Sequence, residues 1–176
     1  MPQQDGAETG RGWQARWIAS VAAVAFGADQ ITKAIVRAAI EPETPHKRDT
    51  FLQLVHHENT GIVGGAFRDI PYVGFVAPAI AFLVLVYLFR HLRSDSRAQA
   101  TGYALVLGGA VGNMLDRVFF GAVTDFIQVH FYFVPFDFPW KYFPTFNVAD
   151  ACIDVGVVLL LITWGWREQP HVARTG

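Results

Sequence analysis

The sequence is short of cysteine, of charge and of any imbalance in charge sign. One of its 176 residues is cysteine, Cys152, so neither an intramolecular disulfide nor a cysteine metal site can form. Cys152 reads as a small apolar helix residue. Charged residues make up 16%, well below the roughly 25% of an ordinary soluble domain. A formal net charge of -1 and a pI near 6.6 leave no footprint for nucleic acid. Ser-x-x-Lys, Gly-x-Ser-x-Gly and His-Glu-x-x-His patterns are absent, which removes the familiar serine and zinc hydrolase signatures. There is no internal repeat and no low-complexity tract. What is abundant is apolar: 52% hydrophobic residues, a mean hydropathy of +0.28, and clustering into runs. That combination points to a membrane protein of one compact domain.

Four runs stand out, at about Trp17 to Val36, Val73 to Phe89, Ala100 to Leu115 and Asp150 to Trp166. Each is near the ~20 residues that span a bilayer, the last two a little short. Backbone in lipid must satisfy its own hydrogen bonds, so all four are expected to be helices. Arg11 and Arg16 before a run ending Ala25-Phe26-Gly27-Ala28 loosely fit a cleaved signal peptide. The run continues through Ile31, Ala34, Ile35 and Val36, and an uncleaved first span accounts for more of it. The expected architecture is an all-α four-helix membrane bundle, residues 16–168, with cytoplasmic tails at 1–15 and 169–176. Arg90, Arg93, Arg97 and Arg167 lie close to helix ends in short segments, which favours termini inside. Trp13, Trp17, Trp164 and Trp166 would form an inner belt, with Trp140 and Tyr142 outside. Of the two outer connections, 37–72 holds a short strand, Phe51 to His56, and a turn at Asn59-Thr60-Gly61. The other, 118–148, is rich in Phe, Tyr, Trp and Pro, as suits an interfacial loop.

The polar residues of the spans fall at one depth. Asp29 lies about 18 Å along its helix from Trp17 at 1.5 Å per residue, and Lys33 is one turn further on. Asn113, Asp116 and Arg117 close the third span, Asp150 opens the fourth, Asp154 sits one turn inside it, and Asp125 follows the third span in the outer loop. Each has a plain structural reading. Asp29–Lys33 can be an ion pair that orients a helix, and Asp116-Arg117 a charge pair that stops one. Asp150 can be a cap favoured by the helix dipole, typically worth ~0.3–1 kcal/mol. Asp154 can hydrogen-bond within the bundle. Gly108-Gly109-Ala110-Val111-Gly112 has the small-residue spacing of close helix packing. His56-His57-Glu58 are poor joint metal ligands, because neighbours on a strand point to opposite faces. What remains is Asp125 with Asp150. Two carboxylates in a low-dielectric site share a proton, which is the chemistry of aspartic proteases. Spacing alone does not prove that they meet.

With these residues in view the chain resembles the lipoprotein signal peptidase family, also called signal peptidase II. The blocks, in order, are Asp29-Gln30-Ile31-Thr32-Lys33, Asn59-Thr60-Gly61-Ile62-Val63-Gly64-Gly65-Ala66-Phe67, Gly108 to Arg117, Val123-Thr124-Asp125-Phe126 and Phe146-Asn147-Val148-Ala149-Asp150. The resemblance implies a catalytic dyad of Asp125 and Asp150. It also implies a substrate site lined by Asn59, Gly61, Asn113, Arg117 and Asn147, supported by Asp29, Lys33 and Asp116. It further implies an endopeptidase without metal or organic cofactor, acting as a monomer in the bacterial inner membrane with its site near the periplasmic face. The partners it implies are a prolipoprotein signal peptide with its diacylglyceryl-Cys, and membrane lipid, with no nucleic acid. The run from Val129 to Phe146 departs from the family by being longer and more aromatic. A small proton-coupled transporter, using Asp29, Lys33, Asp150 and Asp154 as a relay, is the alternative.

Overall fold

The computed structural model describes residues 4–43, 50–61, 96–139 and 141–165, with helical backbone also at Ile80, 83–85, Tyr87 and Arg90. The order is α1 (Gln4–Ala39), β1 (Leu52–Asn59), α2 (Arg97–Phe120), β2 (Val123–Val129) and α3 (Val148–Gly165). Most of the expected 73–89 span, the Ile62 to Phe67 part of its block, Trp140, Trp166 and the 169–176 tail lie outside the described residues. α1 begins at Gln4, inside the segment 1–15 expected as a tail.

α2 packs against both α1 and α3. Glycine makes the approach possible: a methyl at Gly108 would lie 2.6 Å from the Ala22 carbonyl oxygen of α1, and one at Gly109 would lie 2.5 Å from that of Ala149 in α3. Gly102 and Gly156 meet in the same way across α2 and α3. The small-residue stripe is therefore a packing device, as its spacing suggests. Ile18, Leu85, Ala100, Tyr103, Ala104, Val106 and Leu160 form the apolar core.

The helices are apolar outward and polar inward at one end. Val24, Leu83, Phe119 and Leu161 are each about two-thirds or more exposed, whereas the largest fully buried side chains are Lys33, Asn147, Asp29, Asp116 and Asp125 at that end and Gln99 at the other. In water that distribution would be costly; against lipid it is the favourable one. By length and composition, one helix among the described residues, the Gly12–Ala39 part of α1, can cross a membrane.

α2 runs a turn past the expected end. Asp116 and Arg117 do not stop it, because their side chains turn inward to partners described below, leaving Val118, Phe119 and Phe120 on the outside. The stop comes at Gly121, whose φ of 76° and N–H bond to the Arg117 carbonyl close the helix in a left-handed cap. At its other end the Ser96 hydroxyl accepts the Gln99 N–H.

β1 and β2 form an antiparallel pair. Its second edge is taken by the end of the aromatic segment: Phe146 N–H bonds the Ile127 carbonyl, and the Phe126 and Ile127 N–H groups bond that of Phe146. His130 stacks on Tyr142 at 4.0 Å. The long aromatic run thus folds back along β2 as a closed hairpin-like loop. Its outer rings include Tyr132, Phe133, Phe136 and Phe143, all exposed.

Candidate active site

A bulge in β1 decides which face Asn59 shares. The pairing runs Leu54 with Ile127, then His57 with Asp125, so Val55 and His56 together oppose Phe126, and both are buried. In unbroken register His56 would face Asp125, and Asn59 would point to the opposite side. The extra residue reverses that parity. Asn59 then lies diagonally across from Asp125 on one face and donates to its Oδ2 at 2.9 Å. The two histidines have separate partners, as strand alternation implies: His56 Nδ1 meets the Ile40 carbonyl at 2.9 Å and His57 Nδ1 meets Glu43 Oε1 at 3.0 Å.

Asp150 enters through a helix start. Asn147 is the N-cap of α3: its Oδ1 accepts the Asp150 N–H at 2.9 Å, and Asp150 Oδ2 accepts the Asn147 N–H at 3.1 Å. This is a reciprocal capping box. Asp150 is therefore a cap, and it also faces the cleft.

The two carboxylates are furnished by three asparagines whose orientation is not free. Asn59 Oδ1 accepts the Gly61 N–H at 3.0 Å, Asn147 Oδ1 accepts that of Asp150, and Asn113 Oδ1 accepts from Lys33 Nζ at 2.8 Å. Each of those partners can only donate, so each amide must turn its NH2 the other way. Asn59 and Asn147 then donate to Asp125 Oδ2 and Oδ1, the latter at 2.7 Å, and Asn113 donates to Asp150 Oδ1 at 2.8 Å. Asn147 also donates to Asn113 Oδ1 at 3.1 Å. Burial pushes the Asp125 carboxyl up to about 7, the neighbouring charge of Asp150 adds to the push, and the Asn59 and Asn147 donors and the Lys33 charge oppose it.

Beneath this layer lie Asp29, Lys33 and Asp116, each fully buried. Lys33 Nζ stands 2.9 Å from Asp29 Oδ2 and 3.1 Å from Asp116 Oδ2. Asp29 Oδ1 accepts the Ala149 N–H at 2.9 Å, and Asp116 Oδ2 accepts the Thr124 N–H at 3.1 Å. Arg37, one turn beyond Lys33, reaches Thr124 Oγ1 at 2.9 Å and Asp116 Oδ1 at 3.4 Å. Asp29–Lys33 is thus part of a network rather than a lone pair. Arg117 bonds the Asn113 carbonyl through Nη1 at 3.2 Å and the Gly61 carbonyl through Nη2 at 3.1 Å. Its Nε is buried with no acceptor.

Part of this arrangement borders a cleft of about 710 Å³. Asn59, Asn113, Arg117, Asp125, Asp150 and Asp154 line it, and Phe143, Pro144, Thr145 and Phe146 form the facing wall. Asn147 lies fully buried behind the two aspartates.

Comparisons with known proteins give the chain a family. The sequence pattern of signal peptidase (SPase) II matches residues 21–165. The chain belongs to the signal peptidase II family. A lipoprotein signal peptidase of Syntrophotalea carbinolica is 35% identical over 163 residues, which cover 88% of this chain and 94% of that one. One of Solibacter usitatus is 38% identical, covering 84% and 90%. Two solved bacterial membrane enzymes, determined by the in meso method, superpose with TM-scores of 0.69 and 0.66 at 27% and 28% identity, covering 86% and 84% of this chain and 91% of each of theirs. Membership in this family makes the chain a membrane-bound protease and leaves the transporter alternative without support.

Of the residues singled out by sequence, Asp125, Asp150, Asn59, Asn113 and Arg117 reach the cleft directly, while Gly61, Asn147, Asp29, Lys33 and Asp116 connect to it through hydrogen bonds. Sequence reasoning missed Arg37, although it continues the four-residue stripe of Asp29 and Lys33. The wall 143–146 is the end of the aromatic run Val129 to Phe146 that the sequence marks as unusual.

Proposed function

We propose that this signal peptidase II is an aspartyl endopeptidase that removes the signal peptide of a diacylglyceryl-modified prolipoprotein, cleaving before the lipid-bearing Cys, with Asp125 and Asp150 as its catalytic pair. The observation that carries the reading is the shared cleft: two carboxylates from different elements face one space, each with its oxygens oriented by fixed amide donors. In this reading the enzyme works as a monomer in the bacterial inner membrane, with termini cytoplasmic and the cleft near the periplasmic face. The lipid-modified Cys stays at the interface, and the signal helix lies in the bilayer beside α3.

Asp125, with its carboxyl raised to about 7, holds the proton of the resting pair. Asp150, at the positive end of α3, is the base. A water between them gives a proton to Asp150 while its oxygen bonds to the scissile carbonyl carbon, and the Asp125 proton passes to the carbonyl oxygen. The resulting diol collapses by returning a proton to Asp125. The C–N bond breaks, and Asp150 protonates the leaving amine. The pair is then in its starting state, and no metal takes part. Arg117, which lines the cleft, and the edge near Gly61 hold substrate carbonyls in register.

The deciding experiment is D125N and D150N, each assayed for cleavage of a prolipoprotein in detergent. Loss of turnover by a factor of ~10³ or more in both is expected. Retention of near wild-type turnover by either sinks the reading.

A further inference from the structure

Three carboxylates line the cleft, and the scheme above uses two. Asp125 and Asp150 are held by amides, but Asp154 receives no hydrogen bond from the described residues, and it is exposed to the cleft. It follows Asp150 by four positions, so it lies on the same face of α3, about 6 Å further along the axis. The same cleft is lined by the apolar Ile153, Val155, Phe143 and Phe146, with Thr145 and Arg117 among its polar residues.

We propose that Asp154 is a specificity-determining residue, accepting a hydrogen bond from a hydroxyl side chain of the signal peptide just upstream of the cleaved bond. The inference rests on the proposed cleavage by Asp125 and Asp150 in this cleft. The signal peptide is the part of the substrate that remains in the membrane, and α3 runs from the cleft into the apolar part of the fold. Residues before the scissile bond therefore lie beside its second turn. An extended peptide advances about 3.3 Å per residue, so 6 Å corresponds to about two residues. Successive side chains alternate in direction, so either the second or the third residue before the lipid-bearing Cys faces Asp154, but not both.

The chemistry selects the donor. A peptide that fills the cleft displaces the water around Asp154. A carboxylate left there without a partner opposes binding, and none of the described residues supplies one. Serine or threonine supplies a neutral O–H of the right reach. An alkyl side chain at the same place leaves the carboxylate unmet, and sites that hydrogen-bond a substrate hydroxyl discriminate strongly against analogues lacking it.

The test uses full-length enzyme in detergent and diacylglyceryl peptides carrying Ser or Ala at each of the three positions before Cys. Wild-type enzyme is expected to favour Ser at the second or the third position by roughly tenfold in kcat/KM. D154A is expected to bring that ratio to about one, and D154N, which still offers an acceptor, to keep part of it. The ratio is internal to each preparation, so partial misfolding cancels. Equal Ser/Ala ratios in wild type and D154A at every position overturn the proposal. So does a D154N enzyme inactive on every peptide, which would place Asp154 in support of the dyad. A cleaving D125N or D150N enzyme would instead remove the reading beneath it.

Discussion

Asp29 and Asp116 are joined through one ammonium, that of Lys33, and each accepts the N–H of the residue immediately before a paired aspartate: Ala149 before Asp150, Thr124 before Asp125. The backbones that carry the two carboxylates are thus held from below by a single buried charge cluster. Lys33→Met leaves Asp29 buried without its counter-ion and leaves Asp116 with the longer contact to Arg37. The expected loss is about 3–5 kcal/mol of stability, read as a fall in Tm in detergent. Adding Asp29→Asn should recover part of it, because one uncompensated charge is gone; a double variant no more stable than K33M would contradict the arrangement.

The pH dependence follows from Asp125. Its carboxyl titrates near 7 in the folded protein, against an ordinary value of 3.8. A raised folded pKa means that its contribution to stability is complete below 3.8 and is lost as pH rises through about 7. Tm of the wild type should therefore fall between pH 5 and 8 relative to D125N, which has no proton to lose there. Cleavage by the wild type should fall over the upper part of the same window as the shared proton leaves. Parallel Tm curves for the two proteins would show that Asp125 titrates elsewhere.

Glycine substitutions separate packing from propensity. A methyl at Gly112 would lie 2.5 Å from Asp29 Oδ2, the oxygen that pairs with Lys33, so Gly112→Ala must shift the carboxylate whose Oδ1 accepts the Ala149 N–H. A loss of about 1–3 kcal/mol is expected, together with reduced turnover. Gly27 has nothing within 4 Å of the same position, so Gly27→Ala should be neutral or stabilise by up to ~1 kcal/mol. Thermal unfolding of the two side by side is the check.

Arg117 spans two carbonyls with two nitrogens. Arg117→Lys keeps the charge but has one nitrogen to place where Arg117 holds two carbonyls. A drop in kcat/KM of roughly tenfold or more is expected with little change in Tm; unchanged kinetics would remove Arg117 from the substrate site.

Much of the site was legible because charge in an apolar run is conspicuous. Asp29, Lys33, Asn113, Asp116, Arg117, Asp125 and Asp150 all stood at one depth in the sequence, and the structure gathers them into one network. Direction was harder. Asp116 and Arg117 at the end of an apolar run read equally well as a stop signal, and only the inward partners Lys33, Thr124 and Gly61 show otherwise. The β1 bulge was hidden because Leu52 to Asn59 gives no local sign of where one residue is added, yet that residue determines whether Asn59 meets Asp125. The 143–146 wall depends on pairing with Phe126 and Ile127, a contact far apart in the chain and set by the loop between.

The reciprocal contact of Asn147 with Asp150 has a consequence for how this enzyme can change over time. The carboxylate proposed to act on substrate is also the residue that closes the first turn of α3. An inhibitor that grips Asp150 therefore presses on a position where escape is doubly blocked. Any replacement that loosens the inhibitor also uncaps the helix, and with it moves Ala149 against Asp29. Resistance is expected to arise instead on the facing wall, at Phe143, Pro144 or Thr145, where a side chain can be exchanged without loosening a helix.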